Sequence, residues 1–145
     1  MPSTAYEELG HLMGSVCRLH HTRADQSMEQ IGLYRGQAIL LTILSRHDGI
    51  THSEIAEKLR ISPAAATKVI KRMEEAGYVQ RQADPADERV SRVCLQEGGR
   101  ALIAEIEGAF GKLERAMFEG LPEAELERFR DLLSRMAANL QQYQP

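Results

Sequence analysis

Residues 51–77 constrain the fold most, because they contain two short helices with clear sequence boundaries. Thr51 is followed three residues later by a glutamate, which is the pattern of a capping box. Ser62-Pro63 begins the second helix, with serine as the cap and proline at the first helical position, where no backbone N–H is needed. Gly77 suits the left-handed conformation that ends a helix. Only residues 60–61 separate the helices, so the pattern predicts a helix–turn–helix.

A basic hairpin is predicted directly after this element. Tyr78–Gln82 and Val90–Leu95 are short, β-rich segments, and residues 84–88 between them read Asp-Pro-Ala-Asp-Glu, which is turn material. A capped helix, a tight turn, a second helix and a strand–loop–strand are together the outline of a winged helix–turn–helix. Such an element fits the DNA major groove, and its hairpin can reach the backbone or the minor groove.

The rest of the chain is predicted to be helical, which makes the fold class mainly α with a minor β component. Apolar residues at helical spacing predict helices ending near Arg23, over Arg35–His47, Glu97–Glu119 and Glu123–Tyr143. The N-terminal and C-terminal helices carry more apolar surface than a 45-residue winged element can cover. The simplest solution is a two-fold dimer that pairs these helices, and the alternative is a monomeric bundle.

The domain organisation follows from that reading. We expect a single domain over residues 1–145, with a DNA-binding lobe at 35–95 and dimerisation helices at 4–30 and 97–143. No apolar run approaches the length of a membrane span, and no apolar signal segment opens the chain. Cys17 and Cys94 are 77 positions apart, which makes a structural disulfide improbable. We therefore expect a cytoplasmic protein without membrane contact.

Charge distribution supports a nucleic-acid partner despite a net charge of −3. Residues 51–95 carry eight basic and seven acidic side chains, whereas the remainder carries ten and fourteen. The segment Ser62–Met73 has three basic residues and no acid. Because screening limits electrostatic reach to about 10 Å, the local charge of this helix decides phosphate attraction.

Candidate DNA-contacting residues lie on the second helix and on the hairpin. Small residues let the backbone approach base edges, Thr67 and Lys68 can donate to bases, and Lys71 and Arg72 suit phosphates. Arg89 at the hairpin tip suits a narrow minor groove, with Asp87 bracing the loop. Arg81 and Arg92, on the two strands, suit phosphate contacts. The candidate set on the helix is Ser62, Ala64, Ala65, Thr67, Lys68, Lys71 and Arg72. The candidate set on the hairpin is Arg81, Asp87, Arg89 and Arg92.

Three other classes of function are compatible with parts of the sequence. Cys17 lies near His20 and His21, so a thiol sensor is an alternative, and five histidines raise a metal sensor, although none shows a recognised ligand spacing. A winged helix can also act as a protein-interaction module without touching DNA. The sequence contains no nucleotide loop, nucleophile elbow or zinc-hydrolase signature, so we expect no enzyme, no cofactor and no metal.

The chain resembles the MarR family of bacterial transcription regulators. The resemblance is carried by Gly-Leu-Tyr-Arg-Gly-Gln at 32–37, by Ser-Pro-Ala-Ala-Ala-Thr-Lys at 62–68, by residues 71–79 and by Asp-Pro-Ala-Asp-Glu-Arg at 84–89. It implies a homodimer that binds a pseudo-palindromic operator, usually as a repressor released by a small phenolic or lipophilic effector. The resemblance assigns no residue of this chain to the effector.

Overall fold

The computed structural model describes residues 3–145, and in it the chain is mainly α-helical with one small antiparallel sheet. The elements are α1 (Ser3–Glu29), α2 (Arg35–Arg46), β1 (Ile50–Thr51), α3 (His52–Leu59), α4 (Pro63–Glu75), β2 (Val79–Ala83), β3 (Ser91–Leu95), α5 (Glu97–Met117) and α6 (Glu123–Gln142). The predicted fold class and winged helix–turn–helix are therefore confirmed. Residues 1 and 2 of the predicted single domain lie outside the described residues.

Two compact units meet between Gly111 and Lys112, a boundary that falls within α5. The first unit contains the sheet and the hydrophobic core, and the second contains α6. Within the first unit α5 packs Gly99 and Ile106 against the winged element. The division into a binding lobe at 35–95 and dimerisation helices at 4–30 and 97–143 stays a prediction.

The helix boundaries of the helix–turn–helix form as the sequence predicts. Glu54 donates its backbone N–H to Thr51 Oγ1 at 3.3 Å, and Thr51 donates its own to Glu54 Oε2 at 2.7 Å, which completes the capping box. Ser62 Oγ accepts from the backbone N–H of Ala65 at 3.1 Å. Gly77 follows the end of α4 with φ of +77°, a conformation that glycine adopts without steric cost. Local chemistry alone therefore determines where both helices begin and where α4 ends.

The sheet contains one strand that the sequence analysis missed. Its order is β1-β3-β2, with both pairings antiparallel and Val93 placed opposite Ile50 and Arg81. The missing strand is β1, which is only two residues long and has no periodicity to detect. β1 follows α2 and pairs with β3, so β3 is the central strand of the sheet. The hairpin is thereby attached to the segment between α2 and α3.

The core lies where α2, α3, α4, the sheet and α5 meet. Its largest side chains with less than 2% exposure are Met28, Leu40, Leu41, Leu44, Ile55, Ile70, Met73, Ile106 and Val93. On α4, apolar residues at helical spacing predict that Ala66, Val69, Ile70, Met73 and Ala76 face inward and that Ala65 faces outward. Ala66 is buried, as predicted, and Val69 is half-buried. The prediction that Ala76 faces inward is wrong: it is exposed, because the helix has ended there and the chain turns away. Ala65, predicted to face outward, is half-buried.

Helix α1 is longer than predicted, and its apolar stripe is exposed. Leu9, Leu12, Val16 and Leu19 recur at three- and four-residue steps with 49–62% exposure. In the second unit, α6 has no buried residue, and Leu132, Met136 and Leu140 are 43–72% exposed. Long exposed apolar stripes of this kind are typical of interaction surfaces. None of the helices described in residues 3–145 is long and apolar enough to cross a membrane.

Candidate nucleic-acid interface

The outer face of α4 carries the predicted groove-binding side chains. Ser62, Ala64, Thr67, Lys68, Lys71 and Arg72 are exposed, and Ala65 is half-buried. Lys71 Nζ lies 3.9 Å from Glu75 Oε1, an exposed pair that contributes about 0–1 kcal/mol. Lys68 and Arg72 have no ion-pair partner among the described residues. The face therefore offers two uncommitted cations beside small side chains, which is a surface that a polyanion can approach.

The hairpin tip is organised by a carboxylate, as the sequence predicts. Asp87 Oδ1 accepts from both the backbone N–H and Nε of Arg89, each at 3.1 Å. The Arg89 side chain is nevertheless 91% exposed. The predicted brace is confirmed, and it orients an arginine that projects into solvent.

The first strand arginine has a protein partner instead of a free guanidinium. Arg81 Nε donates to Glu74 Oε2 at 2.8 Å, and Arg81 Nη2 lies 2.6 Å from the same oxygen. This bond holds the pKa of Glu74 below its ordinary value and raises the pKa of Arg81. The pair joins the end of α4 to β2, so it positions the hairpin relative to the helix.

The second strand arginine is committed more completely. Arg92 Nε donates to Asp84 Oδ2, and Arg92 Nη1 donates to the carbonyl of Gly49 at 2.8 Å. Asp84 is buried, with 8% exposure, and also accepts from the backbone N–H of Ala86 at 2.7 Å. That backbone bond and the Arg92 guanidinium lower the pKa of the Asp84 carboxyl. Arg92 thus ties the hairpin loop to the α2–β1 connection.

Sequence reasoning therefore placed Arg81 and Arg92 on the hairpin correctly but missed their partners. It treated Asp84 as turn material and gave Glu74 no role. Asp84 is eight residues from Arg92, and Glu74 is seven from Arg81. A carboxylate that precedes the turn and an arginine on the returning strand are placed together by hairpin closure, which was the available signal.

The Asp84 carboxylate makes stability depend on acid pH. A pKa lowered in the folded state stabilises above the unfolded value of about 3.9 and loses that contribution as pH falls through the folded value. We expect Asp84→Asn to be less stable than the parent at neutral pH, with the difference shrinking below about pH 3.9. Chemical denaturation from pH 7 to 3 measures it. Glu88→Gln in the same exposed loop is the control, and an equal, pH-independent loss in both variants would contradict the assignment.

The alternative sensors gain no site from the structure. No group of three or more metal-ligating side chains is found in the part of the chain that is described. Cys17 is exposed and Cys94 is half-buried. Burial, and secondly the charge of Asp48, raise the pKa of the Cys94 thiol, which disfavours the reactive thiolate.

Two small clefts flank these elements in the first unit. One of about 340 Å³ lies between the end of α1 and the start of α2, lined by Asp25, Glu29, Tyr34, Arg35 and Gly36. The other, of about 260 Å³, lies between the start of α3 and the hairpin, lined by Thr51, His52, Ser53, Arg89, Val90 and Ser91. The sequence predicted neither, because each forms only where two separated segments meet.

The known proteins to which this chain is similar are described as regulators of transcription. A family profile described as the MarR family matches residues 33–91. The HTH-type transcriptional regulator YwoH of Bacillus subtilis is 30% identical over 122 residues, covering 84% of this chain and 88% of YwoH. YdgJ, another regulator of that organism, is 35% identical over 112 residues, which span 75% of this chain and 66% of YdgJ.

Two further proteins are similar over most of their length. The HTH-type transcriptional repressor Rv2887 of Mycobacterium tuberculosis is 24% identical over 131 residues, covering 90% of this chain and 94% of Rv2887. A solved structure of BpsR from Bordetella bronchiseptica, described as the mechanism for regulation of its DNA binding by 6-hydroxynicotinic acid, is 26% identical. Its TM-score is 0.78, with 94% of this chain and 98% of BpsR covered.

Proposed function

Because this chain belongs to the MarR family of winged helix–turn–helix transcription regulators, we propose that it is a homodimeric repressor released from its operator by a small molecule. The family and the named relatives are regulators of transcription and not enzymes. In the proposed complex α4 of each subunit enters a major groove, and the two subunits read half-sites about one helical turn apart.

The observation that carries the DNA-binding assignment is the exposed cationic face of α4. From Pro63 to Met73 the helix has no acid, and Lys68 and Arg72 lack ion-pair partners in the described chain. The small side chains before them leave the start of the helix unobstructed. Arg89 supplies the minor-groove contact from the hairpin tip.

The proposed dimer rests on the two exposed apolar stripes. On α1 the stripe includes Leu12 and Val16, and on α6 it includes Met136 and Leu140. A stable association needs such surfaces to be removed from water. In a symmetric dimer the same helices of a second copy cover them.

Repression and effector release are supported by the relatives. Rv2887 is named a repressor, and the DNA binding of BpsR is regulated by a small aromatic acid. A ligand that binds better to a conformation unable to bind the operator shifts the population away from DNA. The free energy of this shift is limited by the difference in the ligand's affinity for the two conformations. For this chain we propose a small phenolic or lipophilic compound of that general kind.

Footprinting on the promoter beside its own gene tests the proposed function. We expect a protected two-fold site, steep weakening of binding with salt, and release by a compound from a small-molecule panel. Salt-insensitive binding, or no protected site, would favour a protein-interaction module instead.

Two substitutions test the proposed contacts. We expect Lys68→Ala to weaken operator binding about tenfold and to relax sequence preference, because one bidentate base contact contributes about 1–3 kcal/mol. Arg89→Ala should weaken binding chiefly at sites with A·T-rich flanks. Lys112→Ala, an exposed lysine outside the winged element, is the control. Parental footprints for both variants would show that the site assignment is wrong.

A further inference from the structure

The cleft between α3 and the hairpin is lined by two serines whose hydroxyls have no hydrogen-bond partner within residues 3–145. Ser53 is exposed and Ser91 is half-buried. Both residues line the same cleft of about 260 Å³. Sequence analysis assigned neither residue a role.

The charge of the cleft comes from Arg89. Asp87 accepts from Nε and Nη2 of Arg89, which leaves the donors on Nη1 unspent. None of the six lining residues is acidic. Burial, and then the charge of Arg81, hold the pKa of the lining residue His52 below its ordinary value, which favours the neutral imidazole. The lining is thus an arginine with hydroxyl donors, a combination suited to a phosphate oxygen.

Arg81 and Arg92, the other hairpin arginines, are less accessible to a phosphate than Arg89. Arg81 is bound to Glu74, and Arg92 is bound to Asp84 and the Gly49 carbonyl. Releasing either would leave a carboxylate without its cation, which costs free energy. Their side chains are 42% and 41% exposed, whereas that of Arg89 is 91% exposed. Arg89 is therefore the hairpin arginine that a phosphate reaches most readily.

We propose that this cleft binds one backbone phosphate of duplex DNA, with the hydroxyls of Ser53 and Ser91 donating and Arg89 supplying the charge. The inference rests on the proposed DNA-binding function and adds residues to it. Arg89 would then contact both the minor groove and the phosphate beside it, so Arg89→Ala should lose some affinity for every duplex in addition to its larger loss at A·T-rich flanks. Because a phosphate contact carries no sequence information, its loss weakens all duplexes alike.

The test compares alanine variants on an operator duplex and on a scrambled duplex of equal length. We expect Ser53→Ala and Ser91→Ala each to weaken both duplexes about tenfold, as expected for a hydrogen bond to a charged group. Ser53→Thr keeps a hydroxyl and should restore most of the affinity. Ser45→Ala, an exposed serine of α2 outside the cleft, should bind like the parent. Unchanged melting temperatures establish that the variants are folded.

A charge-reversing variant and inorganic phosphate identify the occupant. Ser53→Asp should weaken binding more than Ser53→Ala. It should also make the negative slope of log affinity against log salt shallower by about one. Parental affinity for both serine variants would overturn the inference while leaving the proposed function intact. The inference would also be overturned if the free protein binds inorganic phosphate through Ser53 while the variants keep parental DNA affinity. The cleft would then hold a free anion and not a DNA phosphate. A parent protein without salt-dependent duplex binding would overturn both.

Discussion

Leu12→Glu should convert the protein into a monomer and weaken operator binding by at least about a hundredfold. Leu12 is 56% exposed in the middle of the α1 stripe, between Leu9 and Val16. In the proposed dimer that side chain becomes buried, and a carboxylate buried there without a cation costs several kcal/mol. The variant should fold normally as a monomer, because the position is exposed within a single chain.

The loss of DNA affinity follows from the loss of two-fold coupling. When two lobes are joined, binding of the first makes binding of the second effectively intramolecular, which raises affinity by about 10²–10⁴ without new contacts. A monomer keeps the same α4 face but gains none of this coupling. Its residual binding should therefore resemble that of a single half-site.

Light scattering coupled to gel filtration measures the oligomeric state, and titration of the operator measures the affinity. Thr22→Glu introduces the same charge at an exposed α1 position outside the stripe and is the matched control. We expect it to remain dimeric and to bind like the parent. A Leu12→Glu protein that is still dimeric would show that another surface forms the dimer.

The helix–turn–helix could be predicted almost completely from sequence because its boundaries are local. The Thr51–Glu54 capping box, the Ser62 cap and the Gly77 stop each involve residues within three or four positions of one another. Interactions of this range depend on residue type and spacing alone. The same reasoning failed at Ala76, where one residue beyond the end of the helix no longer follows helical periodicity.

The candidate site could be predicted only in part, because its electrostatics depend on tertiary partners. Lys68 and Arg89 were identified from charge and position, and both are exposed as expected. That Arg92 is committed to a carboxylate and to the Gly49 carbonyl depends on a contact 43 residues away in sequence. Composition counts Arg92 and Lys68 as equal cations, and only the fold distinguishes them.

The cleft between α3 and the hairpin could not be predicted from the sequence either. Ser53 and Ser91 are ordinary residues in the sequence, 38 positions apart. They line one cleft because Thr51 pairs with Arg92 where β1 meets β3. Since β1 is only two residues long and was not predicted, the pairing that creates the cleft could not be inferred either.

Gly99→Ala should lower the free energy of unfolding by about 1–3 kcal/mol, as overpacking of a tight core does. Gly99 is buried in the first turns of α5, where an added Cβ would collide with the carbonyl oxygen of Tyr78. It would also lie 2.9 Å from Leu95 Cδ1 and 3.0 Å from Leu41 Cδ2. Because the nearest atom belongs to the backbone, α5 or the start of β2 must shift.

Gly108→Ala in the same helix is the control, with the opposite sign expected. Nothing lies within 4 Å of a Cβ at Gly108, so alanine there should raise stability by about 0.5–1 kcal/mol through its better helix propensity. Urea denaturation of the two variants beside the parent measures both changes. If Gly99→Ala were also stabilising, α5 could not be packed against the Tyr78 carbonyl in solution. The attachment of α5 to the start of β2 would then have to be revised.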